Sequence, residues 1–141
     1  MRTRILILLS LTFLVVVAGC ITEHEPELTL ASFTTDKDLY HSKDTMIVRI
    51  GLNATGDMEN VYINISGIVN KRGRIMIYNE TTVNLTRGLN EIEFIERMPS
   101  CSRCSGLSEG TYYLNMTVVY RNRTIINETT PGALIAVELR Q

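Results

Sequence analysis

Seven Asn-x-Ser/Thr triplets stand in a chain that has ten asparagines. They are Asn53-Ala54-Thr55, Asn64-Ile65-Ser66, Asn79-Glu80-Thr81, Asn84-Leu85-Thr86, Asn115-Met116-Thr117, Asn122-Arg123-Thr124 and Asn127-Glu128-Thr129. None carries proline in the middle, so each matches the acceptor pattern for N-glycosylation, a bulky surface modification of exported proteins. Serine and threonine supply 24 of the 141 residues, so chance yields only about one or two such triplets. Asn53, Asn64, Asn84 and Asn115 also fall opposite the apolar positions of alternating segments, on the side where a glycan has room. The competing explanation is a strand surface rich in Thr and Asn, which suit exposed strand faces and turns. No triplet has an acidic residue two positions before its Asn.

The second constellation is Cys101-Ser102-Arg103-Cys104. A redox centre needs its first thiol at a helix N-terminus to depress the pKa, whereas this pair sits between two extended segments, just after Pro99. A structural zinc site needs about four ligands; there is no second cysteine pair, and His24 and His41 lie far off with no matching spacing. The remaining reading is a disulfide between Cys101 and Cys104, usual for two cysteines of an exported chain. So short a ring gains little entropy, and it would mainly fix local shape or resist proteolysis. Asp36 with Asp38, and Asp57 with Glu59, lack the ordered loop that calcium requires. With His41 the one histidine inside the folded region, no Ser-His-Asp arrangement is available. The reading therefore assigns no catalytic residue, no cofactor and no metal.

Arg2 and Arg4 open the chain, an apolar stretch runs to Val17, and Val17-Ala18-Gly19-Cys20 follows. A basic start, a short apolar core and small residues before a cut are the marks of a secretory signal. The stretch is shorter than the roughly 20 apolar residues that span a bilayer. Its last four residues resemble a lipobox, which implies cleavage before Cys20 and lipid on that cysteine; ordinary secretion with Cys20 as a chance thiol is the alternative. A lipobox excludes eukaryotes, and archaea combine it with N-glycosylation, so the joint reading is an archaeal surface lipoprotein. The expected division is a signal peptide at 1–19, a lipidated tether at 20–27 and one domain at 28–141. Ile21 to Glu27 reaches at most about 25 Å when extended, so the domain stays close to the membrane. Residues 20–141 keep all 15 acidic side chains but not Arg2 and Arg4 of the 14 basic ones, a formal charge of −3. The signs are interspersed, which argues against a nucleic-acid partner.

These groups are carried by alternating segments. Tyr112, Leu114, Met116, Val118 and Tyr120 fall on one face, the period of a half-buried strand. The same period marks Met46 to Leu52, Val61 to Ile65, Ile92 to Phe94 and Ile135 to Leu139, with a weaker strand at Leu28–Phe33. Tyr40 is the one buried-looking residue of a polar connection, 34–45. Phase is lost at Asn79-Glu80-Thr81-Thr82, which predicts a bulge or strand switch. The last strand is expected to be split by Thr130-Pro131-Gly132. Seven or eight short strands without helical periodicity beyond the signal predict an all-β, antiparallel sandwich.

Leu107-Ser108-Glu109-Gly110-Thr111-Tyr112 resembles the tyrosine corner of immunoglobulin-like sandwiches, which implies that Tyr112 bonds back to the preceding loop. Asp36-Lys37, Tyr40, a polar turn and an alternating strand resemble the opening of macroglobulin-type and related prokaryotic immunoglobulin-like domains. The Gly-Leu-Asn turn at 88–90, a strand and the Gly-x-Tyr corner resemble cell-adhesion-related domains of prokaryotic surfaces. The resemblance implies a fold rather than an activity. The expected function is a non-catalytic, glycosylated module on the outer face of the cell membrane. Lipid on Cys20 holds it there, and another envelope protein is its partner. The loop Met98–Glu109 is the longest acceptor-free, exposed-looking segment outside the tether connection and is the candidate contact. The alternative is a ligand- or metal-binding accessory lipoprotein working through Cys101 and Cys104.

Overall fold

The computed structural model describes residues 24–102 and 105–141. The signal segment, Cys20 and Cys104 fall outside the described residues. Among the described residues nine strands follow one another: β1 (Leu28–Thr35), β2 (Leu39–His41), β3 (Thr45–Ala54), β4 (Met58–Val69), β5 (Ile75–Leu85), β6 (Gly88–Arg97), β7 (Gly110–Tyr120), β8 (Arg123–Ile126) and β9 (Leu134–Arg140). One sheet runs β1-β3-β6; the other runs β2-β9-β7-β4-β5, with β8 also paired to β7. Every pairing is antiparallel except β2 with β9, so the chain is an all-β, immunoglobulin-like sandwich. Among the described residues, no helix is long and apolar enough to cross a membrane.

Alternation explains the layers. Met46, Val48, Ile50 and Leu52 of β3 face inward from the small sheet. They meet Val61, Ile63 and Ile65 of β4, Leu114, Met116 and Val118 of β7, and Val137 and Leu139 of β9. Each side chain of this size contributes about 1.5–3 kcal/mol on full burial. β7 is the hub of the large sheet, paired to β4, β8 and β9.

One feature departs from the pattern read in the sequence, and two others take a more specific form. β5 does not bulge or switch at 79–82; its register with β4 runs unbroken from Ile75 to Val83. Asn79 and Thr81 simply occupy half-buried inward positions, tolerated because β5 is an edge strand. The split last strand is two separate strands, both on β7: Ile126 lies opposite Val118, and Leu134 opposite Asn115. Finally, Tyr40 belongs to a three-residue strand, β2, and is fully buried opposite Leu139.

Register places the connections at two poles. The β3–β4, β5–β6 and β7–β8 turns lie at one end with residues 24–27. The β2–β3, β4–β5 and β6–β7 connections lie at the other, with the C-terminus. The eleven residues of β7 separate the poles by about 33 Å at ordinary strand rise.

Candidate functional site

At the first pole the chain arriving from the N-terminus is fastened down. The Glu25 carboxylate accepts from Arg121 Nη1 at 3.0 Å and Arg123 Nη2 at 2.6 Å. These two guanidinium groups hold its pKa below the usual carboxylate range, Arg123 contributing most. Glu27 and Thr55 exchange backbone and hydroxyl hydrogen bonds, and Arg87 Nε donates to Thr55 O at 2.8 Å. Arg121 is the first residue of a two-residue hairpin turn, and Arg123 follows the turn as the first residue of β8. Arg121 and Asn122 take φ of 49° and 61°, the mirror-image turn whose twist matches that of the strands. The end of the expected tether, Glu25 to Glu27, is thus fastened to this pole.

At the opposite pole the described residues of the 98–109 connection, 98–102 and 105–109, are folded back on the sandwich. Met98, Cys101 and Leu107 are buried. Cys101 N donates to Ser42 Oγ at 2.8 Å, Asn70 Nδ2 to Ser105 O at 2.8 Å, and Lys71 N to Gly106 O at 3.1 Å. Gln141 Nε2 reaches Cys101 O at 3.3 Å. Three segments distant in sequence therefore brace one loop, and sequence spacing gives no sign of them. The Cys101 thiol lies 3.8 Å from Leu107 O. Its expected partner, Cys104, lies outside the described residues. Tyr112 OH donates to Ser108 O at 2.8 Å and accepts from Ser108 N, closing the loop onto β7. Lys71, Cys101, Gly106, Leu107, Glu109 and Gln141 contribute to an open cleft of about 640 Å³. Beside it the β4–β5 turn exposes Lys71, Arg72 and Arg74, next to the half-exposed pair Val69 and Ile75.

The seven acceptor asparagines do not share one environment. Asn53, Asn84, Asn122 and Asn127 are exposed. Asn64 lies on the outward side of β4, as alternation requires, yet retains only 9% exposure. β5 and β7 flank it, and its Nδ2 donates to Asn79 O at 3.0 Å. Asn79 points inward from β5, and its Nδ2 donates to Glu96 of the other sheet. Asn115 is half-buried; its Oδ1 accepts from Ser66 Oγ at 2.6 Å and its Nδ2 approaches Glu128 at 3.5 Å. No acceptor lies in the connections of the cysteine pole.

One carboxylate of each acidic pair has a structural partner. Asp36 Oδ1 accepts from Tyr40 OH at 2.7 Å and from Ile47 N at 2.8 Å, and Asp57 Oδ1 accepts from Arg87 N. Among the described residues, no three His, Cys, Asp or Glu side chains gather closely enough to hold a metal ion. A further cluster lies on the outer face of the large sheet. Glu80 Oε2 there accepts from Tyr62 OH at 2.5 Å and Tyr78 OH at 2.6 Å. Both hydrogen bonds lower the pKa of Glu80, and the first raises that of Tyr62.

No family model and no curated protein matches the sequence. Solved structures do match the fold. A CARDB domain from Pyrococcus furiosus, solved in complex with di-metal ions, superposes with a TM-score of 0.56 at 16% identity, covering 86% of this chain and 95% of that one. The C-terminal domain of wzt gives 0.57 at 11% identity, covering 87% and 81%. The Pseudomonas fluorescens alkylpurine DNA glycosylase AlkC, solved on DNA containing an abasic site analog, gives 0.57 at 11% identity, with 82% of this chain matched to 31% of that one. At these identities the likeness defines an immunoglobulin-like sandwich and nothing finer.

Proposed function

We propose that the mature chain begins at Cys20 and is held by lipid on the outer face of the cell membrane. There it serves, without catalysis, as a glycosylated module that contacts another envelope protein. The polarity of the sandwich carries this reading. Glu25 is clamped at one pole, and only five residue steps separate it from Cys20, at most about 18 Å of chain. That pole therefore lies against the membrane, and the cysteine pole faces outward. The outward pole is the braced, acceptor-free end, and its basic turn and apolar pair suit a protein surface with acidic and apolar groups. An archaeal exterior accommodates both the lipobox-like Cys20 and the acceptor triplets.

Cell fractionation tests the anchor. Wild-type protein is expected in the membrane fraction, and Cys20→Ser in the soluble fraction or as unprocessed precursor; continued tight membrane association of Cys20→Ser would sink this reading. The competing function is a metal- or ligand-binding accessory acting through Cys101 and Cys104. The open cleft beside Cys101 is the observation in its favour. Stoichiometric zinc, copper or iron in purified protein, lost when both cysteines are replaced, would establish that function instead.

A further inference from the structure

We infer that the seven acceptor triplets divide into four that take sugar, at Asn53, Asn84, Asn122 and Asn127, and three that the fold withholds, at Asn64, Asn79 and Asn115. This inference rests on the exported, glycosylated reading proposed above. N-glycosylation joins Asn Nδ2 to the anomeric carbon of a sugar delivered on a lipid-phosphate carrier. The bond between that carbon and the carrier phosphate breaks, and the phosphate departs with the electron pair. An Nδ2 proton passes to a base of the transferase. The nitrogen must therefore be reachable and uncommitted as a donor, and the attached sugar must lie in solvent.

Asn64 meets none of these conditions. Its Nδ2 donates to Asn79 O within the sheet, and the side chain is nearly covered. A sugar there would break that bond and crowd Glu80 of β5 and Thr117 of β7, which stand opposite Asn64 on the same face of the sheet. Asn79 points inward from β5, and its Nδ2 is committed to Glu96 across the seam between sheets. Asn115 is half-buried in the central strand β7, with its Oδ1 held by Ser66 and its Nδ2 turned toward Glu128.

The other four differ in kind. Asn53 and Asn122 are exposed, and among the described residues their amides make no side-chain hydrogen bond. Asn84 uses only its carbonyl, accepting from Asn60 N at 2.9 Å. Asn127 also uses only its carbonyl, which accepts the N–H of Thr129 at 3.0 Å and its hydroxyl at 2.7 Å. Nδ2 is left to solvent, and the two bonds drain charge from the amide, easing proton loss from the nitrogen. Three of the four gather near the pole that holds Glu25: Asn53 lies one residue from the end of β3, Asn84 one from the end of β5, and Asn122 in the β7–β8 turn. The sugars form a collar on the membrane side and leave the cysteine pole bare.

Site-resolved mass spectrometry of protein purified from the membranes of the cells that make it tests this division. Glycan is expected at Asn53, Asn84, Asn122 and Asn127, with peptides of Asn64, Asn79 and Asn115 unmodified. Replacing the first four by Gln should remove all glycan mass while leaving the circular dichroism spectrum unchanged. Glycan at Asn64, Asn79 or Asn115 of folded protein would overturn the division while keeping the glycoprotein reading. Unmodified peptides at all seven would overturn both.

Discussion

Tyr40 and Asp36 show how one side-chain pair can pin a connection. Burial pushes the Asp36 carboxyl up, but the hydrogen bonds from Ile47 N and Tyr40 OH outweigh it and leave its pKa below the ordinary value. Burial, then the bond to Asp36, pushes the Tyr40 phenol up to about 12. The signs give opposite ends of the pH scale. Stability from Asp36 is present above the unfolded carboxylate pKa and is lost as pH falls through its lowered folded value. Stability from Tyr40 is present below pH 10.0 and is lost as pH rises toward about 12. Tyr40→Phe is expected to lower stability by about 1.5–3 kcal/mol, as befits a hydrogen bond to a charged group. Asp36→Asn should flatten the acid limb of melting temperature against pH below about pH 4. An unchanged acid limb in Asp36→Asn would show that Asp36 is not the linked group. Burial of Tyr40 was legible in the sequence because it is the aromatic residue of an otherwise largely polar connection. Its parallel pairing was not, because three residues carry no periodicity. The acceptor triplets were legible as well, but the partners that sort them were not: Asn79 O lies fifteen residues from Asn64, and Glu96 seventeen from Asn79.

Among the elements, β3 and β7 declare themselves by strict alternation because each is central, with one face wholly in the core. The edge strand β5 hides its register, since Asn79 and Thr81 replace apolar residues at inward positions. The phase of β4 changes at Gly67 and Ile68 for a local reason. A Cβ on Gly67 would stand 2.2 Å from Tyr113 O and 2.8 Å from Leu114 Cα, so β7 can approach only a glycine here. Ile68 follows with φ of 51°, rare for a β-branched side chain, and is held there by complete burial. Gly67→Ala is therefore expected to cost about 3 kcal/mol or more in urea denaturation, because both obstacles are backbone. A cost under about 1 kcal/mol would mean that β4 and β7 separate more readily than their pairing implies.

For the whole molecule the central claim is polarity: a clamped, sugar-collared pole at the membrane and a braced cysteine pole that meets a partner. The clamp itself need not add much stability, since exposed ion pairs are worth about 0–1 kcal/mol; its effect is to set where the chain leaves the domain. Whole-molecule polarity could not be read along the sequence, because it depends on which turns the register gathers at each end. The most direct measurement places a photo-crosslinking residue at Ser108 or Lys71 on the cysteine pole, and at Glu59 near the clamped pole, in protein anchored in native membranes. A discrete crosslink to one protein from Ser108 and Lys71, and none from Glu59, is the expected result. Crosslinks that form from Glu59 but not from Ser108 or Lys71 would contradict the claim.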